Sequence, residues 1–119
     1  MGPIVLLVDD DPTFRSLATE ILRGLGVEQV VAAGTAAAAI DKAREVRPVA
    51  ALVDVGLPDR DGIELAHELA ALPWRPAVVL TSVDRDAAAR SESSSGAGLP
   101  FVLKDEVMKA PLRCLLQLD

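Results

Sequence analysis

The sequence predicts an α/β domain built on a doubly wound, five-stranded parallel sheet, and three observations carry that prediction. Short apolar runs rich in Val, Ile and Leu alternate with segments of helical spacing along the whole chain. Parallel strands need that alternation, because each connection between them requires a crossover helix. Three of the runs stop at charged groups: residues 4–8 at Asp9-Asp10-Asp11, residues 50–53 at Asp54, and residues 100–103 at Lys104. Finally, 119 residues suffice for one domain with its own core, and the hydrophobic half is nearly all Ala, Val and Leu, which suits helices packed closely on a sheet.

Taken in order, residues 4–8 are the first strand. Asp11 then offers a helix N-cap, with Pro12 at the first helical position. Phe14, Leu17, Ala18, Ile21, Leu22 and Leu25 recur at helical spacing, and Gly26 closes that helix. Residues 29–33 are a second strand, nearer an edge than the first. Gly34-Thr35 opens a second helix through Ala36, Ala39, Ile40 and Ala43, ended by Pro48. Residues 50–55 form the third strand, followed by the turn-rich stretch 56–62. A third helix covers residues 63–72, with Pro73 and Pro76 marking its end. Residues 77–80 are the fourth strand, stopping at Thr81-Ser82. Residues 84–95 make a weak fourth helix, since only Ala87, Ala88 and Ala89 can be buried and serines compete for their own backbone. The fifth strand runs to Leu103, and a last helix covers residues 110–118 with Pro111 in its first turn.

Composition excludes several functions. Net charge is −6 with Lys and Arg scattered, which argues against a nucleic-acid or anionic-membrane grip by this domain. Cys114 is the one cysteine and reads as a small core hydrophobe, so a disulfide framework is absent and a reducing compartment is expected. The start lacks a basic region and its apolar run is five residues, so neither signal peptide nor membrane span is expected. The expectation is one cytoplasmic domain over residues 1–119 with no effector domain.

In parallel sheets the C-terminal strand ends share one edge, where open α/β folds place their sites. Asp9, Asp10, Asp54 and Lys104 should therefore converge. Carboxylates crowd in this way when a divalent cation or a shared proton relieves their repulsion. A carboxylate so placed can act as a nucleophile toward a phosphoryl group, with Mg2+, an ammonium and the Thr81 hydroxyl stabilising its charge. Other polar residues have plainer readings. Asp11 is an N-cap, Asp59 and Asp61 are turn residues, and Trp74 packs a loop.

Val8-Asp9-Asp10-Asp11-Pro12, Val53-Asp54 with Leu57-Pro58-Asp59-Arg60-Asp61-Gly62, Leu80-Thr81-Ser82 and Phe101-Val102-Leu103-Lys104-Asp105 resemble the motifs of bacterial two-component response-regulator receiver domains. The resemblance covers essentially the whole chain. It implies a flavodoxin-like (βα)5 fold with strand order 2-1-3-4-5. It implies Asp54 as phospho-acceptor from a histidine kinase or phosphotransfer protein, and a regulatory phospho-acceptor rather than an enzyme. Asp9, Asp10, Asp54 and the Gly56 carbonyl would hold Mg2+, Thr81 and Lys104 would contact the phosphoryl group, and Thr81 with Phe101 would form the switch. A homodimer face would use the fourth helix, fifth strand and fifth helix. Asp105 stands where the family often has a cis proline, which leaves the isomer of that peptide open.

Rival classes fit less well. A phosphoaspartate hydrolase needs an acid/base carboxylate two residues after the nucleophile, and Gly56 stands there. A flavin or dinucleotide site needs a phosphate-cradling loop after the first strand, where three aspartates would repel it. The surviving alternative is a phosphate-independent pseudo-receiver, against which the intact Asp9, Asp10, Asp54, Thr81 and Lys104 argue.

Overall fold

Successive side chains along each strand point to opposite faces of one parallel sheet, and the near-continuous apolar runs make both faces apolar. The computed structural model describes residues 3–84, 86 and 98–118. Its strands are β1 (Ile4–Val8), β2 (Gln29–Ala33), β3 (Ala50–Asp54), β4 (Ala77–Ser82) and β5 (Phe101–Leu103), in the order 2-1-3-4-5. The helices are α1 (Pro12–Gly24), α2 (Ala36–Val46), α3 (Gly62–Ala70) and a short α4 (Leu112–Leu115), with a single 3-10 turn at Lys104–Glu106. β3 is buried along its whole length, as a central strand covered on both faces must be, whereas β2 at the edge is only partly covered.

One apolar layer joins Leu6, Val8, Ala51, Val53, Val78 and Leu80 to α2 and α3. The other joins Val5, Leu7, Leu52, Val79 and Val102 to Phe14, Ala18 and Leu22 of α1 and to Leu112 and Leu116 around α4. Ala36, Ala39 and Ala43 are fully buried, so α2 meets the sheet through methyl groups and lies close to it. Side chains cap each of the first three helices: Asp11 accepts from the Thr13 N–H at 3.0 Å, Thr35 from Ala38 at 3.1 Å and Asp61 from Ile63 at 2.9 Å. Gly26, at φ +97°, ends α1: its N–H bonds the Arg23 carbonyl while the Val27 N–H bonds Leu22. Trp74 donates to the Pro48 carbonyl at 2.9 Å, under the Arg47 guanidinium 4.8 Å from its ring centre, and so packs a loop as expected.

The last helix corrects the sequence reading. It spans Leu112–Leu115 rather than residues 110–118. Pro111 at its start has φ −78°, ψ 61° and brings no capping side chain. Gln117, at φ 56°, ends it by the arrangement that ends α1, with the Leu118 N–H on Arg113 and the Gln117 N–H on Cys114. Cys114 is exposed rather than buried, because Leu112 and Leu116 occupy the sheet-facing side. The expected fourth helix, apart from Asp84 and Asp86, lies outside the described residues, and with it that part of the expected dimer face. Among the described residues no peptide bond is cis, and no helix is long and apolar enough to cross a membrane.

Gly62 shows how tightly β3 and α3 meet. A Cβ built there would lie 2.0 Å from the Asp54 carbonyl oxygen and 2.7 Å from the Val55 Cα. Both are backbone atoms that cannot turn aside. Gly62→Ala should therefore cost at least about 3 kcal/mol, read as a lower urea midpoint with an unchanged slope.

Candidate functional site

The strand registers determine which side chains meet. Val8 pairs with Val53, so Asp9 and Asp54 follow side by side at the tips of β1 and β3. Asp54 is itself in register with Thr81 on β4, and Ser82 with Leu103, after which Lys104 leaves β5. Five of the expected site residues, Asp9, Asp10, Asp54, Thr81 and Lys104, thus share the C-terminal edge of the sheet.

Asp9 is 0% and Asp54 6% exposed. The Lys104 ammonium lies between them, 2.7 Å from Asp9 Oδ2 and 3.4 Å from Asp54 Oδ2, and 4.8 Å from the centre of the Phe14 ring. The other oxygens meet backbone: Asp9 Oδ1 accepts from the Asp11 N–H at 2.9 Å, and Asp54 Oδ1 from the Gly56 N–H at 3.2 Å. Asp10 is exposed, but one carboxylate oxygen from each of Asp9, Asp10 and Asp54 lies within 4.8 Å of the others. Thr81 is 1% exposed, and its Oγ1 is buried with no hydrogen-bond partner among the described residues. A buried hydroxyl left unpaired costs on the order of 1–3 kcal/mol, which makes Thr81 Oγ1 a candidate donor at this edge.

Electrostatics agree with this geometry. Burial pushes the Asp54 carboxyl above its ordinary range, the Asp9 charge adds to that, and the Gly56 N–H and Lys104 only partly oppose it. For Lys104, burial alone would lower the pKa. The hydrogen bond to Asp9, with the charges of Asp54 and Asp9, outweighs burial and holds the ammonium above its usual value. Three carboxylates against one ammonium leave an excess of acidic groups at this edge. The donors are all oxygen, which suits a hard cation such as Mg2+.

Two expected participants sit differently. Phe101 is half-buried, paired with Leu80, and packs on the layer beneath α3 rather than among the carboxylates. Gly56 contributes backbone only, in a loop closed by the Gly62 N–H to Val55 carbonyl bond at 3.0 Å and by the Gly56–Asp61 bridge. Ser82 is buried, and its Oγ accepts from the Asp84 N–H at 3.0 Å.

Two residues of the neighbourhood were not legible from spacing. Arg15 reaches back from α1 to donate to the Asp9 carbonyl at 2.8 Å. Asp59, taken for a turn residue, instead accepts from the Ala36 and Ala37 N–H groups at 2.8 and 3.1 Å. The Ala36 bond, then the Ala37 bond, hold its carboxyl below the ordinary range.

With this geometry in place, the comparisons fall into line. The profile of the response regulator receiver domain matches residues 5–110. The chain is 36% identical to the sensor protein TorS of Escherichia coli over 99% of its own length and 13% of that protein's. It is 34% identical to the transcriptional regulatory protein PdtaR of Mycobacterium tuberculosis over 85% of its length and 51% of PdtaR's. The chain therefore spans about half or less of the length of these curated relatives. The solved CheY-like receiver domain of Methylobacillus flagellatus superposes with a TM-score of 0.80, covering 98% of each chain at 21% identity, which speaks to the fold alone. The chain belongs to the response regulator receiver domain family of two-component systems, and its sheet is the CheY-like, flavodoxin-type arrangement.

The raised Asp54 pKa has a measurable sign. The unfolded carboxyl titrates near 3.8 and the folded one higher, so the unfolded chain gives up its proton first. Stability therefore falls as pH rises from the unfolded value through the folded one, and the penalty persists above it. In metal-free protein, Asp54→Asn should raise the melting temperature by roughly 2–6 °C at neutral pH. The gain should vanish toward pH about 3, below the unfolded pKa. Scanning calorimetry across that range checks both parts.

Proposed function

We propose that this chain is a phospho-accepting receiver in which Asp54 takes a phosphoryl group from the phosphohistidine of a sensor kinase or phosphotransfer protein. A single observation carries the reading. Asp54 lies in register with a buried Thr81 hydroxyl that has no partner among the described residues, and Lys104 bridges Asp54 to Asp9. Nucleophile, hydroxyl donor and cation thus border one space.

In the transfer, an Asp54 carboxylate oxygen attacks phosphorus. The bond from phosphorus to the donor imidazole breaks, and the imidazole nitrogen leaves with the electron pair and takes up a proton. Receiver domains bind Mg2+ at an acidic pocket of this kind. Here Asp9, Asp10, Asp54 and the Gly56 carbonyl would hold it, and when bound it supplies positive charge against the phosphoryl oxygens. Lys104 gives up part of its contact with Asp54 to a phosphoryl oxygen, and the Thr81 Oγ1–H donates to another. That draw on Thr81, with Phe101 beside it on the next strand, shifts a two-state equilibrium that sets a downstream output. This assigns a regulatory switch, with no turnover of a diffusible substrate.

Incubation with acetyl phosphate and Mg2+ should add one phosphoryl group by intact mass. Asp54→Asn should abolish the addition and Asp10→Ala should nearly abolish it; a full mass shift in Asp54→Asn would sink the assignment.

The lifetime of the phosphoform follows from what flanks the site. Attack by water is speeded by a polar group that orients it. Gly56 has no side chain, and Val83 is an exposed apolar one. Slow self-dephosphorylation is expected, over minutes or longer. Open space surrounds the Gly56 Cβ position, so Gly56→Asn fits and should change the decay rate by at least about tenfold. Phosphate release followed in time checks this, and unaided decay of the wild type within seconds contradicts it.

A further inference from the structure

Asp59 lies in the loop that follows Asp54, and its contacts with α2 give it a role beyond that of a turn former. α2 has no acidic residue in its own first turn. Its first two N–H groups, on Ala36 and Ala37, are taken by the two Asp59 oxygens from a loop more than twenty residues away, and its third, on Ala38, by Thr35. A carboxylate there satisfies two orphan donors and faces the positive end of the helix. The loop it comes from begins at Asp54 and returns to Val55 through the Gly62 N–H, with Gly56 bridged to Asp61. Arg60 ties that loop to Glu64 and Glu68 of the α3 that follows it, whereas Asp59 ties it across to α2, which is itself fixed to the sheet by buried alanines.

We propose that Asp59 is a positioning residue for the cation site: by anchoring the acceptor loop to the start of α2, it fixes the backbone of Gly56. The proposal rests on the functional reading above, in which the Gly56 carbonyl is a ligand. Supporting residues that orient ligands govern metal affinity without touching the metal. The lowered Asp59 pKa agrees, since the carboxylate stays ionised and keeps both bonds wherever the neighbouring site is ionised.

The test is Mg2+ affinity, measured by titration calorimetry on wild type, Asp59→Ala, Asp59→Asn and Thr35→Ala. Asp59→Ala should weaken Mg2+ binding by about tenfold. Asp59→Asn should recover part of the loss, because its amide oxygen can still accept from one N–H. Thr35→Ala removes a cap from the same helix without touching the loop, and should stay within about twofold of wild type. In metal-free protein, exchange of the Gly62 amide should be faster in Asp59→Ala than in Thr35→Ala. Asp59→Ala within twofold of wild type overturns the proposal, as does an equal loss in Thr35→Ala, which would reduce Asp59 to a helix cap. A wild type that binds no Mg2+ overturns the functional reading itself, and this inference with it.

Discussion

One ammonium between two buried carboxylates is the constraint on which the rest of the domain rests. Asp9 and Asp54 are delivered side by side by the β1–β3 register, and at that spacing two buried charges repel. Lys104 reduces the repulsion without removing it. Breaking a buried ion pair by removing one partner costs on the order of 3–5 kcal/mol, so the lysine holds the sheet edge together as well as serving its chemistry. The remaining acidic groups leave the sheet edge with an excess of negative charge.

The small side chains of the sequence serve the same end. Alanines let α2 lie against β1 and β2, which brings its N-terminus within reach of the loop after Asp54. Gly62 lets α3 begin directly against the acceptor strand. Larger residues at either place would hold the helices farther out, and the loop between them would lose its fixed path. The unusual abundance of alanine is therefore tied to the precision of the acidic edge.

Much of this was legible in the sequence because it is local. The five strands, the caps at Asp11 and Thr35 and the closing Gly26 follow from spacing and from residues a few positions apart. The convergence of Asp9, Asp54 and Lys104 followed from one topological rule, that parallel strands end on the same edge. What escaped is non-local or finely balanced. Asp59 and Ala36 are linked only by the fold, and Arg15 had nothing beyond an ordinary helical position to mark its bond to Asp9. The last helix was overestimated because Leu112, Leu115, Leu116 and Leu118 match a longer helix. Pro111 and the left-handed Gln117 confine it to one turn, and Cys114 turns outward.

β5 pairs with β4 through three residues, the shortest strand of the sheet, and Lys104 follows it directly. The ammonium thus stitches the outer strand β5 to the end of β1, across β4 and the central β3. Any anion that draws Lys104 toward itself also pulls on that edge. The charge centre is then a lever whose long arm is the outer strand, and its fulcrum is the rigid pair formed by β1 and β3.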